Sequence, residues 1–140
     1  MDKQKEFNLI VTPEQALANF LECDVEEAKQ QIEDGDYLVL TDEEADEQAK
    51  ESIIDYLLAF KAGFILSECG LDLSGEESLK EMQGSTCEGA QDFIYSLIDK
   101  TCGIDSFVES AISADGRGHF LASYDSEENA VGEYYIYRIN

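Results

Sequence analysis

The sequence predicts an α+β fold, a mostly helical single domain over residues 1–140 with a small antiparallel sheet that includes a C-terminal hairpin. Over most of the chain, apolar residues recur at helical spacing between capping residues and glycines. After Gly116 the pattern changes to an alternation of period two, which is typical of strands. The apolar segment "YLVL" at 37–40 is too short for a helix and predicts a further strand.

Two short helices are predicted before the first strand. The segment "TPEQ" at 12–15 combines a capping box with proline at the first helical position. The predicted inner face of this helix is Ala16, Leu17, Phe20 and Leu21. Asp24 is the predicted N-cap of the second helix, with Glu27 three residues later and Gly35 as its left-handed stop.

An acidic stretch, "TDEEADEQAKE" at 41–51, follows the strand. Thr41 and Glu44 form another capping box, so we expect a long helix from this point to Ser67 or Gly70. Its predicted buried positions are Ala45, Ala49, Ile53, Leu57 and Phe60. Because the apolar density rises along the segment, the helix is expected to start in solvent and to end in the core.

Three more helices and a hairpin are predicted after this long helix. The segment "SGEE" at 74–77 is a capping box for a helix that stops at Gly84, and "ST" at 85–86 begins the next helix. The expected inner face of that next helix is Phe93, Ile94, Leu97 and Ile98. A last helix, "IDSFVESAISA", ends at Gly116. The predicted hairpin pairs "HFLASY" (119–124) with "EYYIYRI" (133–139) across the loop "DSEENAVG".

The charge balance restricts the partners of the chain. It carries 32 acidic and 9 basic residues, a net charge of −23 and a pI of about 4.1. Such a field repels nucleic acid and anionic membranes and attracts basic surfaces. We therefore expect no direct binding to nucleic acid or membrane, and a basic, nucleic-acid-binding protein as the partner.

The cysteines and the N-terminus indicate a cytoplasmic protein. Cys23, Cys69, Cys87 and Cys102 are widely spaced and form no ligand pair for zinc. The N-terminal residues lack the apolar stretch of a signal peptide, so we predict reduced and mostly buried thiols. The sequence contains no phosphate-binding loop or calcium loop, and we predict no metal, no cofactor and no catalytic residues.

The acidic helix is the first candidate site, as a partner-binding surface. The helix dipole accounts for negative charge in the first turn but not beyond it, where like charges four residues apart repel each other. Residues 42–55 carry about one net charge per 3.5 Å of helix, close to the roughly 3.4 Å of a DNA strand. The simpler alternative is a solvated face of an acidic protein. The predicted contact residues are Asp42, Glu43, Glu44, Asp46, Glu47, Glu51 and Asp55.

The second candidate site is the stretch "ADGRGHFLASYD" at a helix-to-strand junction. It gathers Asp115, Arg117, His119 and Asp125 around two glycines. A small polar site or partner-binding loop is one interpretation. The favoured alternative is a tight turn in which Arg117 pairs with Asp115 and His119 is an ordinary strand residue. A catalytic His–Asp pair would also need a nucleophile or a metal, and no residue has a spacing that marks one.

Four segments resemble a family of small acidic proteins found in phages and other mobile elements: "YLVLTDEEAD" (37–46), "LAFKAGFIL" (58–66), "DGRGHFLASYD" (115–125) and "YYIYRIN" (134–140). Residues 1–36 match this family less well, which favours an added N-terminal helical pair. The resemblance implies no known activity or site residue. Acidic phage proteins of this size are often inhibitors of restriction or CRISPR enzymes that imitate nucleic acid, which is an analogy of composition and context.

These observations lead to three hypotheses on function. The first is a non-enzymatic, phage-type inhibitor whose acidic surface occupies the nucleic-acid groove of a host defence nuclease. The second is an acidic interaction or regulatory module that does not imitate DNA. The third is a small enzyme centred on Asp115, Arg117 and His119. Carboxylates along one elongated face with few cations nearby would favour the first, and an even scatter would favour the second.

Overall fold

A computed structural model describes residues 12–84 and 89–140 of the chain. The α-helices of this part are α1 (Pro13–Leu21), α2 (Val25–Glu33), α3 (Asp42–Asp55), α4 (Ala62–Glu68), α5 (Glu76–Gly84), α6 (Ala90–Thr101), α7 (Ile104–Asp115) and α8 (Arg117–Leu121). The strands are β1 (Tyr37–Thr41), β2 (Asn129–Val131) and β3 (Tyr134–Arg138), and Leu57–Ala59 and Leu73–Gly75 are 3-10 turns. The predicted α+β class is confirmed.

The first two helices have the predicted caps. The Thr12 hydroxyl accepts from the Gln15 amide while the Gln15 side chain accepts from the Thr12 amide, both at 3.2 Å. The Asp24 carboxylate accepts from the Glu27 amide at 2.8 Å, and Gly35 has the left-handed φ of +80°. Phe20 is the exception on the predicted inner face of α1, because 39% of its surface is exposed.

The sheet has the strand order β1-β3-β2, and both pairings are antiparallel. The C-terminal strand is therefore central, with Val39 of β1 and Asn129 of β2 both opposite Ile136. The hairpin is formed by β2 and β3 around a two-residue turn at 132–133, where Gly132 has a φ of +62°. The hairpin was predicted, but its first strand lies in the segment expected to be its loop.

The prediction of a strand at 119–124 is wrong. The chain forms the short helix α8 there, in which Gly118 and Leu121 are buried, as is Ala122 directly after it, while His119 is exposed. Positions i, i+3 and i+4 lie on one face of a helix, so this segment satisfies a helical period as well as an alternating one. A run of six residues is too short for periodicity alone to separate the two.

The contacts divide the described chain into two compact units, with the division falling inside α3. One unit comprises the described residues up to Ala49 together with Asp115–Asn140, and the other is Lys50–Ala114. In the first unit α1 and α2 pack on the sheet. Its core contains Ala16, Leu17, Ala18, Ala28, Val39 and Ile136.

The acidic helix ends earlier than predicted, at Asp55 and not at Ser67 or Gly70. A 3-10 turn follows it, and then Phe60 and Lys61 have extended backbone before α4 begins. Around the break, side-chain amides donate hydrogen bonds to backbone carbonyls. Gln91 donates to the Ile54 carbonyl, and Gln83 donates to the carbonyl of Phe60 at 2.5 Å. Residues 55–61, where the break lies, contain no glycine or proline that would signal it.

Three aromatic rings pack together in the second unit. The Phe107 ring lies 5.4 Å from that of Phe60 and 5.5 Å from that of Phe64. Residues four apart share one face of a straight helix, so this packing alone does not require the break. In α6, Ile94 and Ile98 are fully buried as predicted, but Phe93 is 52% exposed. The predicted start of this helix at 85–86 lies outside the described residues.

Other predictions concern the caps, the cysteines and membrane crossing. The helix expected after residue 74 begins at Glu76, behind a 3-10 turn in which the Asp72 carboxylate accepts from the Ser74 amide at 2.9 Å. Cys69 is buried and Cys23 and Cys102 are half-buried, whereas Cys87 lies outside the described residues. Burial raises the pKa of the Cys69 thiol. In the described part of the chain, none of the helices combines the length and apolar character needed to span a membrane.

Candidate functional site

The N-terminus of α3 is closed by the predicted capping box. The Thr41 hydroxyl accepts from the Glu44 amide at 3.2 Å, and the Glu44 carboxylate accepts from the Thr41 amide at 2.9 Å. These bonds satisfy backbone donors that an α-helix leaves without partners in its first turn. Glu44, one of the predicted contact residues, therefore has a structural role in starting the helix.

Arg117 is the centre of a cluster that the sequence did not predict, here called the Arg117 cluster: Arg117, Asp42, Asp46, Glu128 and Tyr137. One guanidinium nitrogen, Nη1, donates to the carboxylates of Asp42 at 2.9 Å and Asp46 at 3.0 Å. It also donates to the Asp42 carbonyl at 3.1 Å. The Nε group donates to the Glu128 carboxylate at 2.8 Å. Arg117 thus joins the two stretches that were predicted as separate sites.

The sequence around Arg117 explains how Glu128 reaches it. Gly118 allows the loop before β2 to pass close to α8, since a Cβ at this position would lie 2.5 Å from the Ser126 carbonyl oxygen. The Asp125 carboxylate accepts from the Glu127 amide at 3.0 Å and shapes the same loop. From β3, the Tyr135 ring lies under the guanidinium, with its centroid 4.7 Å from Cζ.

The electrostatics of the cluster favour a permanently charged arginine. Its side chain is only 10% exposed. Burial lowers the pKa of Arg117, but the hydrogen bonds to Glu128 and Asp42 outweigh this and leave the pKa above its ordinary value. The Tyr137 hydroxyl donates to the same Glu128 oxygen at 2.5 Å. Burial, followed by this hydrogen bond, raises the pKa of Tyr137.

Four carboxylates of α3 form a separate exposed row, here called the carboxylate stripe: Glu43, Glu47, Glu51 and Asp55. They stand four residues apart, so neighbours are about 6 Å apart along the helix axis. Within the described residues, none of the four belongs to an ion pair. Lys50, the single base of the helix, pairs with Asp105 at 2.7 Å. Of the seven predicted contact residues, Asp42 and Asp46 therefore pair with Arg117, Glu44 caps the helix, and the other four form the carboxylate stripe.

The second predicted site is not assembled as expected. Arg117 pairs with Asp42, Asp46 and Glu128, so the predicted pairing with Asp115 is wrong. Asp115 is exposed at the end of α7. His119 is exposed with its ring edge against Phe120, at a centroid distance of 4.9 Å. The alternation of β3 would place Tyr135 and Tyr137 on one face, but nothing in the sequence links them to Glu128 or α3.

Neither metal-ligand geometry nor similarity to known proteins assigns a role to these residues. Among residues 12–84 and 89–140, no group of three or more His, Cys, Asp or Glu side chains is arranged to hold a metal ion. No protein-family model, curated protein or solved structure matches this chain. The resemblance to acidic proteins of phages and mobile elements therefore stays a prediction.

Proposed function

We propose that this protein is a non-enzymatic inhibitor of the phage type that imitates nucleic acid. Its carboxylate stripe would occupy the basic groove of a DNA-binding host defence enzyme, such as a restriction or CRISPR nuclease. The observation that carries the proposal is the exposure of Glu43, Glu47, Glu51 and Asp55 along one helix. A protein with a net charge of −23 would be drawn to such a groove quickly, and the attraction would weaken with salt.

The repulsion within the stripe supports a role other than stability. Each like-charge pair four residues apart costs about 0.2–0.5 kcal/mol in an isolated helix. The dipole of α3 compensates charge only in its first turn, which includes Glu43 but not the three that follow. A row of carboxylates that weakens its own helix is explained by a cationic partner.

The Arg117 cluster reduces the charge density that the sequence suggested. With Arg117 counted among the charges of residues 42–55, the spacing becomes about one net charge per 4 Å of axis, compared with about 3.4 Å for a DNA strand. The stripe alone carries about one charge per 6 Å. The stripe would therefore imitate DNA in carrying negative charges along one axis, but not in their spacing. The remaining acidic residues would add to the negative electrostatic field around it.

The alternative function is an acidic interaction module that binds a basic protein without competing with DNA. The stripe favours the first function because its exposed carboxylates recur at every fourth residue of one helix, with no ion-pair partner among the described residues. Competition separates the two functions. A nucleic-acid mimic and a DNA duplex exclude each other from the target, whereas a regulatory module and a duplex can bind together.

The test is a competition assay with a restriction endonuclease and an RNA-guided nuclease, preceded by a pull-down from bacterial lysate eluted with a salt gradient to identify further targets. The test variant replaces Glu43, Glu47 and Glu51 by Gln and Asp55 by Asn. We expect this variant to bind a target at least tenfold more weakly, about 1.4 kcal/mol in total, with a shallower salt dependence. DNA duplex should displace the parent protein.

A matched control removes four charges elsewhere. Exposed acids on α2, α6 and α7 give the control variant Glu26→Gln, Glu33→Gln, Asp99→Asn and Glu109→Gln. Both variants have the same net charge, so only a local contact makes the stripe variant weaker. Equal affinities for the two variants, or a target that binds DNA and this protein at once, would show that the stripe does not imitate DNA.

A further inference from the structure

The Arg117 cluster shows how α3 binds a cation. Asp42 and Asp46 stand four residues apart, and one guanidinium nitrogen contacts both carboxylates at 2.9 and 3.0 Å. Glu43 and Glu47 repeat this spacing one residue further along the helix and have no ion-pair partner in the described chain. Two neighbouring carboxylate pairs of the same helix therefore differ in whether an internal cation occupies them.

We propose that Arg117 is a positioning residue. By pairing with Asp42 and Asp46, it removes these two carboxylates from the acidic surface that a cationic partner can bind. Exposure does not separate the two pairs, because the side chains of Asp42 and Asp46 are still 67% and 63% exposed. What separates them is the guanidinium, held by Glu128 and by the Tyr135 ring. A cationic partner would meet Glu43 and Glu47 first and would have to displace Arg117 to reach the other pair.

The position of Arg117 is unfavourable without these carboxylates. It lies against Asp42 in the first turn of α3, close to the positive end of that helix dipole. A cation at a helix N-terminus is disfavoured. Its contacts with Asp42, Asp46 and Glu128 reverse this, and charge-assisted hydrogen bonds to a mostly buried guanidinium are the strong kind. The acidic partners therefore stabilise Arg117 in this position.

This inference rests on the proposed function for its biological meaning, but its first test does not involve a target. Carbodiimide labelling with an amine, read by peptide mass spectrometry, measures how available each carboxylate is. We expect Asp42 and Asp46 to react at least about threefold more slowly than Glu43 and Glu47, because an ion-paired carboxylate is the poorer nucleophile. In the variant Arg117→Gln the difference should disappear. The variant Lys29→Gln has the same net charge and should retain it.

A second test uses a ten-residue oligoarginine peptide as the cationic probe at low salt. In the parent, Glu43→Gln with Glu47→Gln should weaken peptide binding by about fivefold, and Asp42→Asn with Asp46→Asn by less than about twofold. In the Arg117→Gln background, the two double substitutions should weaken peptide binding equally. This probe separates the two proposals, since a protein that binds oligoarginine in this pattern but inhibits no nuclease retains the Arg117 inference and loses the proposed function.

Two results would overturn the inference. One is equal labelling of the two carboxylate pairs in the parent, which needs no variant and stays informative even where Arg117→Gln fails to fold. The other is a labelling difference that persists in a folded Arg117→Gln protein, because its cause would then be the helix terminus and not the arginine. Circular dichroism of each variant establishes that it is folded before labelling.

Discussion

Gly118 allows the loop that carries Glu128 to approach the Arg117 cluster. The loop carrying Glu128 passes so close to α8 that a Cβ on residue 118 would lie 2.5 Å from the Ser126 oxygen and 2.9 Å from the Glu127 carbonyl carbon. These are backbone atoms, which cannot move as the end of a flexible side chain can. Ser126 also has a left-handed φ of +59°, which is uncommon for a residue other than glycine.

We predict that Gly118→Ala lowers the free energy of unfolding by about 1–3 kcal/mol, because the methyl group overpacks a contact between α8 and the loop. Urea denaturation followed by circular dichroism measures the effect. Gly75→Ala is the control, since nothing lies within 4 Å of a Cβ there. The control should change stability by less than about 0.5 kcal/mol. Equal effects of the two substitutions would show that the loop can shift at no cost.

Tyr137 makes the stability of the protein sensitive to alkali. Its pKa is raised, so its hydroxyl remains protonated in the folded protein at a pH where the unfolded chain has released the proton. Below about pH 10, the ordinary tyrosine pKa, both states hold the proton and the stabilisation is fully present. As the pH rises above this value, the free energy of unfolding should fall by up to about 1.4 kcal/mol per pH unit from this residue.

The prediction is tested with Tyr137→Phe, which removes the ionisable hydroxyl. Its free energy of unfolding should decline less steeply than that of the parent between pH 10 and 11.5, as measured by urea titration at each pH. It should also be lower at neutral pH, by about 1.5–3 kcal/mol, because the hydrogen bond to charged Glu128 is lost. Tyr56→Phe is the exposed control and should follow the parent. Parallel declines of the parent and Tyr137→Phe would contradict the assignment.

At the scale of elements, local chemistry made the helix starts predictable and tertiary contacts made the ends unpredictable. Thr12, Asp24 and Thr41 cap their helices as the sequence indicates, because the capping partner is three residues away. The end of α3 at Asp55 depends instead on Gln91, which is distant in sequence and donates to the Ile54 carbonyl. A pattern read over ten or fifteen residues contains no information on such a partner.

The sheet and the candidate site show the same limit. The strand at 37–40 and the final strand were predictable from their apolar, β-branched and aromatic residues. The strand Asn129–Val131 was not, since its three residues have no distinctive alternation and are fixed by pairing with β3. Likewise, the acidic run was visible as charge, but its division by Arg117 depends on contacts across more than 70 residues.

At the scale of the whole chain, the acidic residues outnumber what internal cations can neutralise. There are 32 acidic and 9 basic residues, and in the described part Arg117 alone engages three carboxylates. Lys50 and Lys80 pair with further ones. Most carboxylates must therefore be stabilised by water and counterions. Their mutual repulsion is released on unfolding, which lowers the stability of the folded chain.

We predict that added salt raises the melting temperature. From 0.01 M to 0.15 M NaCl the Debye length falls from about 30 Å to about 8 Å, which screens repulsion between exposed charges. The same salt also weakens the attractive pairs, but Arg117 is mostly buried and its contacts are screened less. Repulsive pairs are far more numerous than attractive ones in a chain of this composition. The net effect should be a rise of about 3–8 °C, which corresponds to about 1–2 kcal/mol for a chain of this size.

Calorimetry or circular dichroism in a series of NaCl concentrations measures this rise, and tetramethylammonium chloride at equal ionic strength separates screening from specific binding of sodium. If screening causes the rise, both salts should raise the melting temperature equally. The variant Glu43→Gln, Glu47→Gln, Glu51→Gln and Asp55→Asn should melt at a higher temperature than the parent at 0.01 M salt, because its repulsive pairs in α3 are gone. It should also gain less from added salt. A melting temperature that is flat or falls with salt would mean that the carboxylates are already neutralised in the folded state, and the stripe would then offer no free charge to a basic partner.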